Sequence, residues 1–96
     1  MEPSGVGRLI RAARERAGLS QAQLARLVGT AQPTIAIVES DRRLPSVRSL
    51  TRMVSATGLD LVVGLRDRDR VVVLGTLTLD GRRARFDAIP DDGSTL

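Results

Sequence analysis

Between Leu19 and Pro45 two short helical patterns meet at one glycine. The first carries Leu24, Leu27 and Val28 at i, i+3 and i+4, one face of a helix. The second carries Ile35 and Val38 toward the same core. Gly29 between them is a turn signal and a helix stop. Helices this short are marginal alone and must share a core with other elements. The stretch therefore constrains the fold more than any other: two helices, a tight turn, and an outer face made of Gln32, Pro33, Ala36, Ile37 and Ser40.

The boundaries of this pair follow from local chemistry. Ser20 is a good N-cap, and Gln23 three residues later completes a capping box. Gln21 then opens the first helix, which ends at Gly29. For the second, Pro33 lacks an N–H and biases Gln32 away from helical angles. The expectation is Gln32 at the N-cap and Pro33 at the first helical position, with the helix reaching Ser40. Asp41 to Pro45 is a loop.

A helix runs before the pair and another after it. Val6, Leu9, Ile10, Ala13 and Ala17 form an apolar stripe over about Val6–Ala17, with Ser4 as a candidate cap and Gly18 as the stop. Arg8, Arg11, Arg14, Glu15 and Arg16 fill its other face, read as solvated, with one or two able to reach a nucleic-acid backbone. Ser46 caps a fourth helix, about Val47–Ala56, with Val47, Leu50, Met53 and Val54 inward and Gly58 closing it.

After Gly58 the period changes from helical to alternating. Leu59, Leu61, Val63 and Leu65 read as a strand. Arg66 to Arg70 is a charged, self-paired connector. Val71–Leu79 is a second β run, Asp80-Gly81 a hairpin turn, and Arg82–Ile89 the returning strand with Ala84, Phe86 and Ala88 on one face. Residues 1–5 and 90–96 read as flexible ends. The expected fold is mainly α: a four- or five-helix domain over residues 1–58, then a small C-terminal β segment, a strand plus a hairpin, over 59–96.

Charge separates the two parts. All 15 basic residues are arginines, and the net charge is +4. Nine arginines against four acids lie in residues 1–58; six against seven lie in 59–96. Arginine forms bidentate pairs with phosphates and guanine edges, so the basic N-terminal part suits nucleic acid. A helix presenting amides and small side chains beside loop arginines is what a duplex major groove accepts.

Other function classes lose ground on composition. With no cysteine and no histidine, the chain forms no disulfide and no Cys/His zinc site, and it has neither a histidine base nor a cysteine nucleophile. The acid pairs Asp67/Asp69 and Asp91/Asp92 stand without a catalytic partner. No enzyme activity, cofactor or metal is expected. No apolar run is long enough to span a membrane. No signal peptide is visible, so the default location is cytoplasmic.

Ile10, Arg11, Arg14, Gly18-Leu19-Ser20-Gln21, Leu24-Ala25, Gly29, Gln32, Ile35, Glu39 and Pro45-Ser46 together resemble the small phage-repressor-like (XRE/Cro/CI-type) helix-turn-helix domains of bacterial regulators. The resemblance covers about residues 6–58. It implies a homodimer on a palindromic double-stranded DNA operator, with the third helix in the major groove. Gln21 would then touch a phosphate and brace Gln32, and Gln32 would read a base edge, adenine fitting its amide. Thr30, Pro33, Thr34 and Ile37 fall among the DNA-facing positions; Ile37 packs on a thymine methyl or serves a protein contact. Arg42 and Arg43 fall where phosphate clamps sit, and Glu39 where a residue holds the loop or an arginine. The chain departs from the pattern at Ala31, in place of a capping Ser, at Pro33, and at Asp41, in place of Gly.

The β segment resembles the antitoxins of persistence-kinase-type toxin–antitoxin modules. That implies dimerisation through Leu59, Leu61, Val63 and Leu65, repression of the protein's own operon, and a cognate toxin as partner. The 71–89 hairpin has no counterpart there. A stand-alone or phage regulator, or a protein-binding module whose strands pair with a partner, remain as alternatives.

Overall fold

A computed structural model describes residues 5–90. The Ser4 cap, most of the N-terminal lead, the Asp91/Asp92 pair and the rest of the C-terminal tail lie outside the described residues. Among those described are four helices, α1 (Gly7–Arg16), α2 (Gln21–Val28), α3 (Gln32–Glu39) and α4 (Val47–Ser55), then three strands, β1 (Leu61–Asp67), β2 (Arg70–Asp80) and β3 (Arg83–Ala88). The chain divides into two compact units at Leu59/Asp60. None of the described helices is long and apolar enough to cross a membrane.

The helical unit closes on Ile10, Leu24, Ala25, Ile35, Val38 and Met53, with Val28, Leu50 and Ala56 packed against them. Each helix contributes a narrow inward stripe, so the core is smaller than the apolar count implies. Leu27 is 60% exposed and Leu9 52% exposed. Both fall one position off the inward stripe, and Ala25 takes the place assigned to Leu27. Val47 is exposed as well, while Thr51 is buried with its hydroxyl donating to the Val47 carbonyl at 2.6 Å. That bond satisfies the buried hydroxyl within its own helix.

The start of α1 is fixed from outside the helix. Val6, at its N-cap, provides no side-chain bond. Instead the Gly7 amide donates to Asp41 Oδ1 at 2.9 Å, tying the start of α1 to the end of α3. Gly7 permits this approach, because a Cβ there would lie 2.2 Å from the Val38 carbonyl oxygen.

The second unit is an antiparallel meander in the order β1-β2-β3. Arg66–Arg70 is not a connector: Arg66 and Asp67 end β1, Arg68-Asp69 turn, and Arg70 begins β2. The β1 edge starts two residues later than the alternation implied, so Leu59 precedes the strand. The second hairpin loop is Gly81-Arg82 rather than Asp80-Gly81, since Asp80 already pairs with Arg83. A bulge falls between Leu65 and Arg66, where β2 carries the extra residue Val72.

Register sorts the sheet by face. Leu61 faces Leu77, Val63 faces Gly75 and Leu65 faces Val73. Leu77 faces Phe86, Leu79 faces Ala84 and Gly75 faces Ala88. All these residues share one face, which is apolar throughout. The Phe86 ring lies over Gly75, where a Cβ would come within 2.3 Å of it.

Candidate nucleic-acid interface

The turn between α2 and α3 is built by Gly29 in the left-handed region, φ 74°. The Thr30 amide returns to the Ala25 carbonyl at 2.9 Å and the Gly29 amide to Arg26 at 3.3 Å. These are the two bonds of a Schellman stop. Arg52 adds a guanidinium hydrogen bond to the Val28 carbonyl at 2.9 Å. The exit of α2 is therefore held by backbone, glycine and an α4 side chain together.

Helix α3 starts one residue earlier than the proline rule implied. Ala31 is the N-cap, in extended backbone (φ −93°, ψ 149°), and Gln32 is the first helical residue. Pro33 sits second, where a helix still has no internal acceptor for an N–H, so its missing donor costs nothing. Ala31 has no side chain to accept from the first turn, and the Thr34 amide closes back on the Ala31 carbonyl at 2.9 Å. Gln32 thus projects from the first turn itself.

At its other end α3 stops at Ser40, followed by Asp41 with φ 62°. The Asp41 amide donates to Val38 and the Arg42 amide to Ile37, both at 3.1 Å, again a Schellman pattern. Aspartate tolerates this left-handed position better than most residues. It uses its carboxylate to cap α1, which the usual glycine cannot do. The loop that carries Arg42 and Arg43, both exposed, leaves α3 from this fixed point.

A polar relay joins three helices. Arg14 donates from Nε to Glu39 Oε2 at 2.7 Å and from Nη2 to Oε1 at 3.0 Å, and from Nη1 to the Leu19 carbonyl at 2.9 Å. The Glu39 side chain is 4% exposed and that of Arg14 13%. Arg14 is therefore no part of a solvated face, and its pKa is raised, chiefly by the Glu39 hydrogen bond. Gln21 Nε2 donates to Glu39 Oε1 at 3.2 Å, and Gln32 Nε2 donates to Gln21 Oε1 at 2.7 Å.

The polarity of this relay is dictated by its buried end. A carboxylate only accepts, so the Gln21 amide must turn its NH2 toward Glu39. Its oxygen then faces Gln32, which must answer with its own NH2. The Gln32 oxygen and second amide hydrogen are left pointing away from the relay, at the exposed start of α3. Two of these links match what the resemblance implied, Gln21 bracing Gln32 and Glu39 holding an arginine. The Gln21–Glu39 bond that joins them into one chain had no signal in the sequence.

The remaining sequence-predicted positions are spread over α3, the segments flanking it, and β1. Pro33 is exposed on the first turn, Thr30, Thr34 and Ile37 are half-buried, and Arg42 and Arg43 follow α3. Leu61, Val63 and Leu65 lie on β1 in the second unit. Residues 6–68 match a family model described as a helix-turn-helix domain, which spans all four helices and β1. No curated protein matches the chain.

Proposed function

The chain belongs to the helix-turn-helix family, and from that premise we propose that it is a sequence-specific repressor of transcription, acting as a homodimer on a palindromic DNA operator. The observation that carries the reading is the relay ending on Gln32. It leaves the Gln32 oxygen as an acceptor and one amide hydrogen as a donor, the two functions that adenine N6 and N7 require in the major groove. Thr30, Pro33, Thr34 and Ile37 surround it as further contacts. Gln21, Arg42 and Arg43 bind phosphate and set the register of the helix on the duplex. The role is binding, not catalysis.

In the finer reading the protein is the autoregulating antitoxin of a toxin–antitoxin pair, with β1 joining the two copies. Leu65 and Phe86, the exposed large apolar residues of this sheet face, support a protein partner in addition to DNA, since exposed apolar groups clustered on one face mark interaction sites. A stand-alone regulator is the alternative. Co-purification of a neighbouring gene product without DNA separates the two.

Selection from a pool of random duplexes tests the main reading. It is expected to enrich an inverted repeat, and recovery of unenriched sequence would rule out specific recognition. On the selected site, Gln32→Ala is expected to relax one base position in each half, at about 1–3 kcal/mol. Arg42→Ala is expected to weaken all sequences alike.

A further inference from the structure

We propose that β3 is a self-pairing edge, along which two copies of this chain join antiparallel across a two-fold axis at Phe86. The surface lies beyond the residues that the family model matches, and the proposal does not depend on the DNA-binding reading.

The hydrogen-bond phase of the strand is set by one bond. The Ile89 amide donates to the Leu74 carbonyl at 2.7 Å, so Ile89 turns its polar backbone groups toward β2. Backbone direction alternates along a strand. Asp87 and Arg85 therefore also face β2, and Ala84, Phe86 and Ala88 turn their N–H and C=O groups to the open edge. An unpaired row of this kind templates another strand.

Charge then selects the register. A two-fold at Phe86 sets Phe86 opposite Phe86 of the second copy, and Ala84 opposite its Ala88, all hydrogen-bonded positions. It sets Arg85 opposite Asp87 of the second copy, twice over. Within one chain Arg85 already meets Asp87 at 3.1 Å, so pairing gives four alternating charges on one face. A two-fold at Arg85 would gain two Arg83–Asp87 pairs but oppose two arginines at its centre, and one at Ala84 would oppose Arg83 with Arg85 twice. The Phe86 register has two opposite-charge pairs and no like-charge pair. Like charges directly opposite are destabilising, and opposite charges are favourable. The Phe86 register also continues the apolar face from one sheet to the next and covers part of Phe86, the only aromatic residue, now 44% exposed.

The other edge must be silenced to read this one. Leu74 faces β3 with its backbone groups, so its β1 neighbour Gly64 and the equivalent Val62 turn theirs outward. Proline at Val62 blocks the β1 edge, and proline at Ala84 the β3 edge, without removing a bond inside the sheet. The full chain is measured by size-exclusion chromatography with light scattering. Val62→Pro is expected to have the mass of two chains and Val62→Pro with Ala84→Pro that of one. In the Val62→Pro background, Arg85→Asp is expected to halve the mass, and adding Asp87→Arg to restore it. A monomeric Val62→Pro variant, or a mass unmoved by Ala84→Pro and Arg85→Asp, would overturn the proposal. Ala84→Pro alone separates the two edges. Where β1 also pairs copies, the unaltered chain grows beyond two copies and Ala84→Pro returns it to two; where β1 does not, the unaltered chain is a dimer and Ala84→Pro a monomer.

Discussion

Replacing Glu39 by alanine removes the carboxylate that sets the polarity of the relay. Arg14 then keeps a largely buried charge without its partner. Breaking such a pair costs about 3 kcal/mol, toward the low end here because Arg14 retains some water. Urea denaturation is expected to show that loss, and Gln32 is expected to lose its fixed amide direction, so base preference falls along with stability. Gly7→Ala acts at another single atom. Its Cβ would meet the Val38 and Glu39 carbonyl oxygens at 2.2 and 2.7 Å, so α1 must move off α3, at about 1–3 kcal/mol. Titration separates the residues further. The Arg11 hydrogen bond lowers the Glu15 pKa, so its contribution is present above the unfolded value and is lost as pH falls through the folded one. Arg14 is shifted upward and stays charged. With no histidine, cysteine, tyrosine or lysine in the chain, no side chain has an ordinary pKa between roughly pH 6 and 9. DNA affinity is expected to be flat across that window, and a titration midpoint inside it would contradict the assignment of contacts to arginine and amides.

At the scale of elements, the capping chemistry of α2 was legible in advance because it is local. The Ser20 hydroxyl oxygen accepts from the Gln23 backbone N–H at 3.0 Å, and the Ser20 backbone N–H donates to Gln23 Oε1 at 2.8 Å. Ser20→Ala is expected to cost about 1 kcal/mol, read as a lower midpoint with unchanged denaturant dependence. The start of α3 was less legible. Proline is favoured first in a helix, but any of the first turn's N–H positions can lose its donor, and only the tertiary setting chooses. The exposure of Leu27 and Leu9 has the same origin: a helical wheel gives a face, and the neighbouring helices decide how much of it is covered. The three-stranded sheet was visible as alternation and one turn signal. The first hairpin was hidden because its turn, Arg68-Asp69, carries no glycine, and Arg68 adopts φ 56°. Charge alternation over Arg66–Arg70 reads equally well as a solvated linker.

Over the whole molecule, the division of charge matches the division of structure. The helical unit carries the excess of arginine, and the sheet unit is close to neutral. In the proposed reading, affinity for any duplex belongs to the first unit, and association of copies to the second. A chain ending at Leu59 is expected to keep salt-dependent binding to random DNA but to lose affinity for the two-half operator, seen as a single-site titration. The candidate site was legible as a set of positions, since the order and spacing of Arg14, Gln21, Gln32 and Glu39 survive in the sequence. Its orientation was not, because polarity passes through hydrogen bonds between residues as far apart as Arg14 and Glu39. The central claim is that α3 reads base edges through an oriented Gln32 while the loop arginines hold phosphate. Fluorescence anisotropy on the selected duplex and a scrambled one, over a salt series, tests it most directly. Gln32→Ala is expected to keep the salt slope and lose preference at one base position, whereas Arg42→Ala is expected to lower the slope by about one and keep the preference. Equal affinity of the unaltered chain for both duplexes, or equal losses from the two variants on both, would contradict it.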